Sequence, residues 1–171
     1  FSLFKPSSPF TTQSPPCLYY LSGLTCSDEQ FVTKASNAFA AAQKENISIC
    51  ICDTSPKLGT PVEGDDENWD FGKGAGFYID ATEEKWKNGG YMMESYLTEE
   101  LPSLIASPQF NCGVNARGIF GHSMGGHGAL TLGLKRGDIF SSVSAFAPIC
   151  NPTKGKWGQK AFTGYLGSVD K

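Results

Sequence analysis

Five residues constrain this chain more than any others. Gly121-His122-Ser123-Met124-Gly125 follows the short apolar run Arg117-Gly118-Ile119-Phe120 and opens a run of small residues, Gly126-His127-Gly128-Ala129-Leu130. Strand, sharp turn, helix is the setting in which G-x-S-x-G forms a nucleophile elbow. The turn holds the serine at a strained backbone position. Gly121 and Gly125 flank it because a side chain there would collide with the neighbouring strand and helix. Ser123 Oγ is thereby expected at the head of a helix, whose N-terminus favours developing negative charge. The Met124 N–H is then placed to donate to an oxyanion. The competing reading is a glycine-rich turn around an idle serine.

The rest of the chain supplies an α/β frame for that turn. Phe1-Ser2-Leu3-Phe4 alternates like the end of a strand, and 5–16, with Pro6, Pro9, Pro15 and Pro16, reads as a loop. Cys17-Leu18-Tyr19-Tyr20-Leu21 is continuously apolar, the mark of a strand covered on both faces. Ser22-Gly23-Leu24-Thr25-Cys26 breaks it. Ser27-Asp28 caps a single helix expected over 29–44, with Phe31, Ala35, Ala38, Phe39 and Ala42 at helical spacing. A strand over 47–52 follows, then a long glycine-rich, acidic loop over 54–76 of the kind that usually serves function. A helix is expected over 91–106, with Pro102 kinking it. After the elbow come a helix over 124–135, with Leu130 and Leu134 on one side and Gly137 at its stop, a buried strand over 141–149, and a tail of short helical turns. The order predicts one α/β domain over 1–171 with a mostly parallel sheet and helices on both faces.

Bulk properties exclude several classes. The 171 residues are enough for one domain with a core. A net charge of −3 offers nothing to a polyanion, so no nucleic-acid partner is expected. No apolar run approaches membrane-spanning length, so no membrane partner is expected either. Residues 1–10 lack the basic start and apolar block of a secretory leader, although a first residue other than methionine implies an upstream portion. Of the six cysteines, Cys17, Cys50 and Cys52 lie in or beside strand-like runs, where free cysteine packs as a small hydrophobe. All six are read as reduced, in a cytoplasmic setting where the Asn46-Ile47-Ser48 sequon is idle. Cys50-x-Cys52 has no partner pair at zinc spacing, and neither a metal nor a cofactor is expected.

Four stretches in order resemble the S-formylglutathione hydrolase (esterase D) family: residues 21–26 (LSGLTC), 68–78 (NWDFGKGAGFY), 121–129 (GHSMGGHGA) and 144–152 (SAFAPICNP), with Trp157-Gly158 and 164–167 (GYLG) in support. The resemblance implies an α/β-hydrolase fold, here incomplete at both ends. It implies hydrolysis of a small-molecule thioester, S-formylglutathione, to glutathione and formate, with side activity on short carboxylic esters. By the same resemblance Ser123 is the nucleophile, Leu24 donates the second oxyanion N–H beside Met124, and Cys26 lies near the site as a thiol-sensitive position. Trp157 matches an aromatic of the substrate channel. Trp69 and Trp157 are candidates for a pocket wall, with core packing as the alternative.

One departure stands out. The hydrolase order is serine, acid, histidine, yet only His122 and His127 are present, and neither is expected to reach Ser123 Oγ. Family members carry their aspartate and histidine later in a longer chain. The expectation is a thioesterase whose present chain is nearly inert; the alternative is a non-catalytic form that binds a partner or forms a homodimer through an exposed sheet edge. Acyl transfer to an acceptor other than water is a third reading. Gly72-Lys73-Gly74-Ala75-Gly76 lacks the strand-to-helix setting of a dinucleotide loop and is read as an active-site wall or a plain turn. Glu63, Asp65, Asp66, Glu67 and Asp70 lack calcium-loop spacing; they form a solvated face or meet the glutathione ammonium.

Overall fold

A computed structural model describes residues 1–7, 13–57 and 60–170. The loops expected over 5–16 and 54–76 fall partly outside the described residues, at 8–12 (with Pro9) and 58–59.

Five strands form one sheet: β1 (Ser2–Phe4), β2 (Cys17–Leu21), β3 (Ser48–Cys52), β4 (Arg117–His122) and β5 (Ser142–Phe146), in the order β1-β3-β2-β4-β5. β1 runs antiparallel to β3 and every other pairing is parallel. Successive side chains of a strand point to opposite faces, and here both faces are used. Cys17, Tyr19 and Leu21, Cys50 and Cys52, and Ile119 enter the larger core. Tyr20, Ile49, Ile51 and Phe120 enter a second cluster with Phe31, Phe39 and Ala42. The continuous apolar runs of β2 and β3 follow from this double cover.

The helix layers differ in detail from the expectation. The helix over 29–44 is two helices, α1 (Asp28–Lys34) and α2 (Ser36–Lys44), parted at Ala35 with φ −111° and ψ 35°. The Thr33 hydroxyl donates to the Glu29 and Gln30 carbonyls at the end of α1, a backbone competition that bends helices. A box of Ser27 and Gln30 caps α1. After α3 (Glu84–Asn88), the helix expected over 91–106 is α4 (Met93–Ser95), a π-helical turn (Tyr96–Glu100) and α5 (Leu101–Ala106). Pro102 has no N–H for the Thr98 carbonyl, and the widened turn, with Leu101 N–H donating to the Tyr96 carbonyl, absorbs the misfit.

Past the elbow, α6 (Met124–Lys135) turns its glycine-rich side and Ala129 and Leu132 inward. Leu130 is only partly buried and Leu134 is 78% exposed, so the leucine side of this helix is its outer side. The helix ends at Lys135, before Gly137. β5 is an edge strand, not a buried one: Ser142, Ser144 and Phe146 are exposed. Its Val143 packs on the larger core, which leaves the opposite face uncovered. The tail holds a short 3-10 turn (Pro152–Lys154) and one continuous helix, α7 (Lys156–Leu166), in place of separate turns.

Candidate active site

The parallel register decides what meets what. Leu21 of β2 lies beside Gly121 of β4, and His122 lies beside Phe146 of β5. The segments leaving these strands, residues 22–27, 123–125 and 147–149, therefore emerge at one rim of the sheet.

Ser123 sits there with φ 58° and ψ −117°, a conformation that costs of the order of 1–3 kcal/mol and persists only when its surroundings enforce it. They do so from both sides. The Ser123 N–H donates to the Phe146 carbonyl at 3.0 Å, and its carbonyl accepts from His127 N–H at 3.1 Å and Ile149 N–H at 3.2 Å. The flanking glycines are required by contact. A Cβ on Gly121 would lie 2.2 Å from the Gly125 carbonyl oxygen, and one on Gly125 would lie 1.9 Å from the Leu21 carbonyl oxygen. Ser123 is partly exposed, and Met124, the first residue of α6, is buried.

Residues 22–27 form a turn pinned against this elbow. A Cβ on Gly23 would touch the Ser123 Cβ and the His122 carbonyl, both at 3.4 Å. The Tyr78 hydroxyl donates to the Ser22 carbonyl at 2.7 Å, and the Ser22 hydroxyl donates to the Ser27 carbonyl at 3.0 Å. Cys26 N–H closes the turn on the Gly23 carbonyl at 3.1 Å. Thr25 N–H reaches the Gly74 carbonyl at 2.9 Å, and the Thr54 hydroxyl donates to the Cys26 carbonyl. Leu24 is held in the middle of these ties. Thr54 carried no signal in the sequence, and Tyr78 only its place in the 68–78 stretch, because their partners are backbone carbonyls remote in the chain. The glycines at 72–76 are a wall of this turn. Gly72 and Gly74 have φ near +80°, and Gly74 lies against the Thr25 Cα.

Neither histidine hydrogen-bonds the Ser123 hydroxyl among the described residues. His122 is exposed beside Gly23. His127 is buried between Phe77 and Phe162, with ring centroids 6.3 and 6.4 Å away. Burial pushes its pKa down, opposed by the nearby Ile149 backbone carbonyl. No group of three or more His, Cys, Asp or Glu side chains among the described residues is arranged to hold a metal ion. No helix among them is long and apolar enough to cross a membrane.

The Esterase family model matches residues 1–169. The chain belongs to the esterase family. It is 51% identical over 167 residues to S-formylglutathione hydrolase of Arabidopsis thaliana and 48% identical over 168 residues to that of Bos taurus. Each match covers 98% of this chain, and 57% and 58% of the relative. The chain thus spans a little over half the length of these curated relatives. The solved S-formylglutathione hydrolase of Agrobacterium tumefaciens superposes with a TM-score of 0.83 at 41% identity, over 95% of this chain and 57% of that one. The serine hydrolase FphF of Staphylococcus aureus superposes with a TM-score of 0.68 at 16% identity. The architecture is the α/β-hydrolase fold.

In this chain the two tryptophans are not core residues. Trp69 is 62% and Trp157 44% exposed, and they meet edge to face at 5.9 Å on the surface. Cys26 is partly exposed on the pinned turn, while Cys50 and Cys52 are buried strand residues. The acidic stretch is mixed. Asp65 is buried and paired with Lys73, Asp70 pairs with Lys160, and Glu63, Asp66 and Glu67 face solvent.

Proposed function

We propose that Ser123 is the nucleophile of a serine thioesterase that hydrolyses S-formylglutathione to glutathione and formate, with short carboxylic esters as side substrates. The observation that carries this reading is the backbone of Ser123: left-handed, held between Phe146 and Ile149, at the head of α6 and in contact range of Gly23. In the proposed reaction Ser123 Oγ attacks the formyl carbon. The carbonyl oxygen becomes an oxyanion that the N–H groups of Met124 and Leu24 stabilise, one such donor being worth about 10²–10³ in turnover. The C–S bond breaks, the thiolate leaves and takes a proton, and the formyl group remains as an ester on Ser123. Water attacks that ester, formate departs and the serine hydroxyl is restored. Cys26, Trp69 and Trp157 border the substrate in this reading, and six free thiols suit a cytoplasmic setting.

The proton of Ser123 needs a base. His127 is buried between Phe77 and Phe162 and His122 is at the surface, and neither hydrogen-bonds the Ser123 hydroxyl among the described residues, so neither is assigned that role. Residues 1–171 then carry the nucleophile and oxyanion half of the site. Loss of the base from such a unit costs on the order of a millionfold and leaves roughly a thousandfold over water. The test is labelling by a fluorophosphonate probe, read by mass spectrometry on a full-length form that supplies the base and on its Ser123→Ala variant. Label at Ser123 that vanishes in the variant is expected; label elsewhere, undiminished in the variant, refutes the assignment. Turnover of S-formylglutathione by this chain at ordinary enzyme rates would refute the claim of weak intrinsic activity.

A second reading, a binding form that dimerises, is favoured by β5, which pairs only with β4 among the described residues and carries no charge beside its exposed Phe146 to block pairing. A monomer by sedimentation across micromolar concentrations would remove it.

A further inference from the structure

A cleft of about 360 Å³ opens directly beside the pinned turn and is lined by Thr25, Cys26, Ser27, Lys57, Lys73 and Gly74, with Asp53 and Ser55 in its wall. Its first residue follows Leu24, so it lies at the rim that holds Ser123. Its volume falls in the range of about 300–1,000 Å³ usual for small-molecule sites. Thr25, Cys26 and Ser27 of the turn and both lysines line the same cleft, so a ligand seated in it meets the turn and the lysines together.

The two lysines differ. Lys57 Nζ bridges Asp28 at 2.8 Å and Asp53 at 2.7 Å, and both carboxylates are nearly buried. That ammonium is fixed, because removing it would strand two buried charges. Lys73 Nζ lies 3.2 Å from Asp65 and 3.2 Å from Asp66. Asp65 is buried, whereas the Asp66 side chain is 71% exposed. An ion pair with so exposed a partner is weakly held. Lys73 can therefore exchange Asp66 for a ligand carboxylate while Asp65 keeps its ammonium aimed. Its backbone is fixed as well, since Lys73 N–H donates to the Asp65 carbonyl at 2.6 Å. Four carboxylates surround the two ammonium groups, so the cleft does not concentrate anions in general. It favours a ligand that brings an ammonium along with its carboxylate.

We propose that this cleft receives the peptide half of the leaving thiol, a small zwitterionic γ-glutamyl peptide, and that Lys73 selects it by binding one of its carboxylates. The proposal rests on the thioesterase reading of Ser123. It sets specificity for the thiol, not the acyl group.

The probe is S-methylglutathione, a thioether that cannot be hydrolysed, titrated into ¹⁵N-labelled protein with its diethyl ester as the arm lacking free carboxylates. Shifts at residues 25–27 and 72–74 are expected. Lys73→Glu is expected to weaken S-methylglutathione binding by about tenfold or more, the scale of a lost charge-assisted bond replaced by repulsion. Lys73→Arg keeps it within about threefold. The diethyl ester binds weakly and is indifferent to the Lys73 substitutions. Equal affinity in wild type and Lys73→Glu, with both melting alike, overturns the proposal; so do shifts confined to Trp69 and Trp157. Fluorophosphonate labelling of Ser123 in a full-length form that supplies the base separates the two readings. Intact labelling with no peptide binding sinks the cleft alone, and peptide binding without labelling sinks the nucleophile.

Discussion

Alanine at Gly125 tests the elbow through its packing. The new Cβ would lie 1.9 Å from the Leu21 carbonyl oxygen and 2.6 Å from that of Ser22. Leu21 or α6 must therefore retreat by about 1.1 Å before even a tight contact is reached. The atoms in the way are backbone. Leu21 belongs to the ladder that pairs β2 with Gly121 of β4 and Cys52 of β3, so no flexible side chain can give. Overpacking of this kind costs about 1–3 kcal/mol, and backbone displacement belongs at the upper end. Against it, alanine returns about 1 kcal/mol of helix propensity. The net loss is about 2 kcal/mol, or roughly 4–8 °C in Tm for a chain of this size. Gly137→Ala is the internal control, since a Cβ there meets nothing within 4 Å. Thermal unfolding by circular dichroism compares the two. If Gly125→Ala melts with the wild type, or if Gly137→Ala falls as far, the contact argument for the G-x-S-x-G glycines is wrong.

Tyr78→Phe removes the hydroxyl that donates to the Ser22 carbonyl. It should lower stability by about 1–3 kcal/mol in urea unfolding and, in a full-length form that supplies the base, slow fluorophosphonate labelling of Ser123, because the turn bearing Leu24 is loosened. His127 has a pKa below its ordinary value through burial, opposed by the Ile149 carbonyl. The unfolded chain therefore takes up a proton at higher pH than the folded one, and stability falls as pH drops below about 6.5. In His127→Phe that part of the slope between pH 7.5 and 5 should vanish; an unchanged slope would mean the ring is not the group responsible.

The elbow was readable because its requirements are local: a strand, two glycines and a small-residue helix fall within ten positions. β2 and β3 were readable because both their faces are buried, which leaves an unbroken apolar run. The failures share a cause. In α6 Leu130 and Leu134 do share one side, but the inward side is made by glycines, Ala129 and Leu132, so the spacing of those two leucines does not mark the buried face. In α7 Gly158 lies where a Cβ would be 2.3 Å from the Pro152 carbonyl oxygen, and Gly164 where one would be 2.3 Å from the Phe71 ring. Those glycines make the segment look broken in sequence, yet they are what lets a continuous helix pack close. The charged stretch misled similarly. Asp65 and Asp70 are ion-paired from residues elsewhere in the chain, and nothing in their own spacing marks them off from exposed Glu63 and Glu67.

The two halves of the proposed site are a single mechanical unit. The Leu21 and Ser22 carbonyls contact Gly125 at the head of α6, and the Ser22 carbonyl also accepts from Tyr78. Gly23 lies against Ser123, and the same turn is tied to Gly74 and Thr54. A displacement of the elbow must therefore move the turn that carries Leu24, and the converse holds. For a reaction that needs two amide donors aimed at one oxygen, this shared backbone fixes their separation without any side chain that could relax. It also explains how a chain spanning little more than half its relatives' length can present the nucleophile and both proposed donors. All three come from the ends of β2 and β4, neighbours in the middle of the sheet, held by contacts within residues 1–171.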